Sequence, residues 1–131
     1  MIVDDFDREL FALAKENLKN AYAPYSNFQV SAMLVGKSGK VYSGVNIENS
    51  SYPAGICAER TAMSKAISEG EREFDRIVIA TREDSGWPCG ICRQFMYEFA
   101  PELKVTAGED VDSLESYSLS ELLLKGFRLE D

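Results

Sequence analysis

The sequence predicts a three-layer α/β/α domain built on a central mixed sheet of about five strands. Helical and strand periodicities alternate along it in the order α-β-β-α-β-α-β-(β)-α. In "RIVIA" (76–80) the residues after Arg76 are apolar without a break, as a strand covered on both faces requires. Strands separated by helices pair in parallel through crossovers, and those crossovers cover the sheet. A chain of 131 residues with no internal repeat and no long linker fits one domain over 1–131.

Phe6, Leu10, Leu13, Ala14 and Leu18 recur at helical spacing and predict an amphipathic helix over 4–20. "AYAPYS" ends it, because Pro24 disfavours helical backbone at Ala23. Phe28, Val30, Ala32 and Leu34 alternate along a strand, "GKSGK" is a hairpin turn, and "VYSGVNI" is the returning strand. Ala58, Ala62 and Ala66 lie four apart in a helix over 56–69, stopped by Gly70. Residues 89–99 begin a helix just after Pro88, a residue favoured at helix starts. "LKVTA" is a further strand and "SYSL" a weak one. "SLSELLLKG" is a short C-terminal helix capped by Ser118 or Ser120.

Composition excludes several functions. The net charge is −8, with Lys and Arg scattered among more numerous Asp and Glu. A polynucleotide binder needs a basic patch to neutralise phosphates, so no nucleic-acid partner is expected and a small ligand fits better. The longest apolar runs are four or five residues, too short for a membrane span. "MIVDDFDREL" lacks the basic start and apolar stretch of a signal peptide, which predicts a cytoplasmic protein. In that compartment clustered cysteines bind metal or do redox work more often than they form disulfides.

The chain has three cysteines and no histidine. Cys57 lies in "GICAERTA" and Cys89 and Cys92 in "WPCGICRQF", each stretch at a predicted helix start. Unpaired N–H groups and the helix dipole favour thiolates there. Cys89 and Cys92 project from one turn, and Cys57 is brought in by the preceding helix. Three thiolates suit one zinc ion per chain, and a site with three protein ligands keeps the open position that marks catalytic zinc. Glu59, two residues past Cys57, is the natural proton carrier in a chain without histidine. Arg60 and Arg93 follow the two cysteine stretches and would offset the thiolate charge. Two other readings stand beside this one. A lone cysteine is commonly a small buried hydrophobe. "CGIC" after Trp87 and Pro88 also fits a thiol-disulfide oxidoreductase using Cys89 and Cys92, which leaves Cys57 without a role.

"CAER" followed by "PCGICRQ" resembles the cytidine deaminases in their small, three-cysteine zinc form, and "APYSNFQV", "SGVNIENSSY" and "ELLLKGF" extend the likeness. The resemblance implies hydrolytic deamination of cytidine and 2′-deoxycytidine, with zinc activating the attacking water and a separate glutamate relaying protons. It assigns the zinc to Cys57, Cys89 and Cys92 and the proton relay to Glu59. Asn46 and Glu48 would grip the ribose, chiefly at its 3′-hydroxyl, and Phe28 would stack on the ring. The Ala58 N–H would meet the C2 carbonyl, and the Trp87 carbonyl would lie near the departing amine. Tyr52 would approach the sugar, and Phe127 would match an aromatic that reaches a neighbour's site. Members of this type are homotetramers in pyrimidine salvage, and the Ala58/Ala62/Ala66 face offers close packing for such an assembly. A relative acting on blasticidin S shares the zinc motif but lacks the Asn-x-Glu-Asn stretch that "NIEN" supplies, so a plain nucleoside is favoured.

Overall fold

The computed structural model describes residues 1–129. Helix α1 (Asp5–Asn17) opens on a capping box, in which the Asp4 carboxylate accepts from the Asp7 N–H and Asp7 returns the bond. A 3-10 turn, Leu18–Asn20, completes the expected helix. Strands β1 (Val30–Gly36) and β2 (Val41–Val45) form the hairpin. Helix α2 (Ala58–Ser68) leads to β3 (Phe74–Thr81), and α3 (Gly90–Tyr97) leads to β4 (Lys104–Ala107). Strand β5 (Glu115–Ser118) and the one-turn helix α4 (Leu119–Leu122) follow. Ser118 is the α4 cap, in a second capping box with Glu121.

The sheet order is β2-β1-β3-β4-β5, with β3 and β4 parallel and the other neighbours antiparallel. Helices cover both faces. Met33, Val35, Val78 and Ala80 pack under α1 with Leu10, Phe11 and Ala14. Ala32, Leu34, Ile77 and Ile79 pack under α2 and α3 with Met63, Cys92 and Met96. Alternation along β1 and β3 therefore divides one apolar run between two cores, which is why the four residues after Arg76 in "RIVIA" show no polar position.

Three sequence expectations are corrected. The first strand begins at Val30, not Phe28, because Asn27 takes a left-handed backbone (φ 58°) and turns the chain just before it. The last helix is a single turn: Leu123 leaves helical backbone, and Lys125 is left-handed at φ 56°. The alanine face does not await another subunit. Ala58, Ala62 and Ala66 are fully buried in this chain's own core, so the face gives no support to an assembly.

That face lets α2 press onto the sheet. A Cβ at Gly44 on β2 would run into the Ala58 carbonyl oxygen and the Ala62 backbone, so only glycine fits. The opposite end of the sheet is tied by charge. The fully buried Asp7 carboxylate bonds Lys104 at 2.7 Å and Arg76 at 3.0 Å, and Arg76 also holds Asp4 at 2.9 Å. The Asp7 N–H, helped by Arg76 and Lys104, lowers the Asp4 pKa to about 2.

Ser31 points to the α1 side of β1, fully buried, and its hydroxyl has no partner among the described residues. An unpaired buried hydroxyl carries a desolvation penalty. Ser31→Ala is therefore expected to stabilise the fold by about 1 kcal/mol, read as a higher urea midpoint at constant slope. A lower midpoint would show that the hydroxyl is satisfied.

Candidate active site

Cys57 is the N-cap residue of α2 and Cys89 that of α3. Neither makes a side-chain capping bond, so both sulfurs are left to face each other across the gap between the helix starts. Their Sγ atoms lie 3.8 Å apart, and the sulfurs of Cys57, Cys89 and Cys92 all lie within 4.8 Å of one another. A tetrahedral zinc with metal–sulfur bonds of about 2.3 Å sets its sulfurs roughly 3.8 Å apart. The donor set and its spacing fit that ion. Cys57 belongs to the same cluster as the CGIC pair, a role that a two-cysteine redox motif does not supply.

The electrostatics of the cluster favour negative charge on the Cys57 sulfur. The Cys57 pKa falls to about 5, chiefly because Cys92 hydrogen-bonds to it, with Arg60 and Cys89 adding to the effect against the cost of burial. The same contact raises the Cys92 thiol, which is also buried. Arg60 reaches the Cys57 sulfur at 3.8 Å. Arg93 does not touch a sulfur. Its guanidinium donates to the Pro88 and Leu122 carbonyls, each at 2.7 Å, and so ties the start of α3 to the end of α4. Its neighbour in sequence is a ligand candidate, but its own side chain leaves the helix toward α4.

A cleft of about 260 Å³ opens beside the sulfurs. Cys57, Ala58, Glu59, Trp87 and Cys89 line it together with Ser26, Phe28, Asn46 and Glu48. Glu59 is 4% exposed. Burial raises its pKa to about 7, with the Cys57 charge adding and its own backbone N–H and Arg60 opposing. A carboxyl group placed there exchanges protons near neutral pH. Ala58 opens α2, where the first N–H groups have no helical acceptor. The Trp87 ring is held edge-on against Tyr117, with centroids 5.4 Å apart.

Asn46 and Glu48 lie just past β2, on either side of Ile47, whose backbone bridges to Tyr22 and Ile56. That extended geometry sends both side chains into the cleft. Asn46 accepts from the Val30 N–H at 2.9 Å and donates to the Phe28 carbonyl at 2.8 Å. Glu48 accepts from the Tyr25 and Ser26 N–H groups at 2.9 and 3.1 Å and from the Ser26 hydroxyl. The Ser26 bond is the largest cause of its lowered pKa. Ser26 lines the cleft as well, and sequence reasoning passed over it. A serine two residues before an aromatic, followed by Asn27, is a local turn signal. Its partner Glu48, however, is 22 residues away.

Two expected residues stand apart. Tyr52 is 80% exposed and lines an adjoining cavity of about 390 Å³ with Tyr25, Glu48 and Arg60. Phe127 is 63% exposed, and its carbonyl accepts from Gln94 at 3.2 Å. Neither lines the cleft with Glu59.

Paired helix starts that converge three sulfurs beside a buried carboxyl define a zinc-dependent hydrolytic enzyme with one Zn²⁺ per chain. The family described as "Cytidine and deoxycytidylate deaminase zinc-binding region" matches residues 4–107. A cytidine deaminase of Halalkalibacterium halodurans is 45% identical over 130 residues, covering 95% of this chain and 97% of the relative. That of Mycoplasma genitalium is 39% identical, covering 85% and 87%. The crystal structure of cytidine deaminase from Burkholderia pseudomallei superposes with a TM-score of 0.86 at 40% identity, covering 95% of this chain and all of that one. The chain belongs to the cytidine and deoxycytidylate deaminase family.

Proposed function

We propose that this chain hydrolyses cytidine and 2′-deoxycytidine to uridine and 2′-deoxyuridine, consuming one water and releasing ammonia. The observation that carries the reading is the composition of one cleft, which Cys57, Cys89 and Glu59 line together with the polar pair Asn46 and Glu48. Cys57, Cys89 and Cys92 would hold the zinc, which when bound would supply a Lewis acid that activates water. Glu59 takes a proton from the attacking water and delivers it to N3 of the pyrimidine, and then assists departure of the amine. The Ala58 N–H holds the C2 carbonyl, Phe28 stacks on the ring, and the Trp87 carbonyl faces the amine. Arg60 stabilises the thiolates, a part supported by its contact with Cys57.

Hydrogen-bond bookkeeping supports the sugar reading. Both Oε1 lone pairs of Glu48 are taken by N–H groups, and Ser26 takes one at Oε2, which leaves one acceptor. Asn46 keeps one unused N–H. A hydroxyl that donates to Glu48 and accepts from Asn46 completes both, and the 3′-hydroxyl is common to ribose and deoxyribose.

The reading extends to a homotetramer in which Tyr52 and Phe127 serve a neighbouring subunit, in keeping with their exposure outside their own chain's cleft. It extends also to one catalytic domain over 1–131 and to cytoplasmic pyrimidine salvage. The net charge of −8 favours a free nucleoside over a nucleic-acid strand. Among the described residues no helix is long and apolar enough to cross a membrane.

The test is kcat/KM, followed by ultraviolet absorbance, for cytidine, 2′-deoxycytidine, 3′-deoxycytidine and cytosine. Cytidine and 2′-deoxycytidine are expected to be similar. The 3′-deoxy compound should be lower by about 10- to 100-fold, the worth of a hydrogen bond to a charged group. Equal values for cytosine and cytidine would overturn the sugar reading.

A further inference from the structure

Ser26 joins the two recognition tasks of the cleft. Its hydroxyl donates to Glu48 Oε2 while the same oxygen accepts from the Phe28 N–H at 3.0 Å. The Phe28 carbonyl is held in turn by Asn46 at 2.8 Å. The backbone of the ring-facing residue is thus pinned at its N–H through Ser26 and at its carbonyl by Asn46. The intervening Asn27 sits at φ 58°, a conformation the surrounding bonds must maintain. Glu48 is a carboxylate on a half-buried loop with no Lys or Arg paired to it among the described ion pairs. Its orientation comes from the Tyr25 N–H, the Ser26 N–H and the Ser26 hydroxyl. Of those three, only the hydroxyl belongs to a side chain, and only it acts on Oε2, the oxygen with the acceptor left over.

We propose that Ser26 is a positioning residue that aims the free Oε2 lone pair of Glu48 at the substrate's sugar hydroxyl and sets Phe28 in register with it. This rests on the reading that Asn46 and Glu48 grip the sugar. A carboxylate that loses its Oε2 donor is held at Oε1 alone, and its last torsion, whose energy wells are broad, is less tightly set. The sugar hydroxyl then meets a less well aimed acceptor and bears part of its ordering cost. Threonine retains the hydroxyl and cysteine a weak donor of similar size, whereas alanine removes the donor.

The readout is the ratio of kcat/KM on cytidine to that on 3′-deoxycytidine, which cancels losses common to both substrates. In Ser26→Ala the ratio is expected to fall about tenfold, the scale of one hydrogen bond to a charged group. Ser26→Thr should keep it, and Ser26→Cys should fall between the two. An unchanged ratio in Ser26→Ala would overturn the proposal, as would an equal collapse in Ser26→Thr. If Ser26→Ala does not fold, Ser26→Cys decides: a ratio equal to that of the parent chain counts against the proposal. Glu48→Gln separates this inference from its premise. If that variant leaves the ratio intact, the sugar reading itself fails. If it collapses the ratio while Ser26→Ala does not, only the role of Ser26 fails.

Discussion

Glu59→Gln is expected to fold, to keep one zinc per chain and to lose about 10²–10⁴ in kcat, the usual worth of positioned acid–base help. The substitution preserves volume and hydrogen-bonding shape in a residue that is 4% exposed, but amide nitrogen and oxygen do not exchange protons near neutral pH. It also relieves a buried carboxyl whose pKa is pushed to about 7 by desolvation, so the variant should be no less stable at neutral pH. Single-turnover kinetics with metal analysis of the same sample makes the measurement. A variant with parental kcat would remove Glu59 from proton transfer. One that lost its zinc would make Glu59 a ligand.

Cys57→Ala should be more damaging still, with zinc content well below one per chain and a loss of turnover beyond the roughly 10²–10⁴ of Glu59→Gln. The Cys57 sulfur lies 3.8 Å from that of Cys89, and its removal leaves a pair on one turn of α3 to hold the cation alone. Cys57→Ser separates metal from fold. Serine is a favoured N-cap, so it should hold the start of α2 at least as well as cysteine while failing as a zinc ligand. Circular dichroism should then show a folded chain that metal analysis finds nearly empty. Full zinc retention in Cys57→Ala would return the cluster to a CGIC-only site.

Periodicity made much of this architecture legible. The divided run of β3, with Ile77 and Ile79 to one core and Val78 and Ala80 to the other, is readable because an unbroken apolar strand requires two covered faces. Local chemistry placed the helix starts to within two residues of Cys57 and Cys89, the positions on which the sulfur cluster depends. What covers a face was not legible. Ala58, Ala62 and Ala66 announce close packing, but the strand they pack on is named only by Gly44, whose missing side chain is a tertiary fact. Arg93 is a similar case: adjacency to Cys92 in sequence says nothing about the Leu122 carbonyl that its guanidinium meets. Ser26 escaped because its meaning lies in Glu48, and no local pattern pairs those positions.

The position of β3 has a consequence for how the molecule assembles. In the chain β3 lies between Cys57 and Cys89, and in the sheet it lies between β1 and β4. A growing polypeptide that has just completed β3 owns the antiparallel half of the sheet and a single sulfur. The other two arrive with α3, the crossover to the parallel β3–β4 pair of the sheet, whose closure entropy must be met before its contacts form. A cation that needs all three sulfurs therefore finds no site on the nascent N-terminal half. Zinc held by all three sulfurs would thus add its binding energy with α3, after the β2-β1-β3 half is in place, and would not nucleate that half.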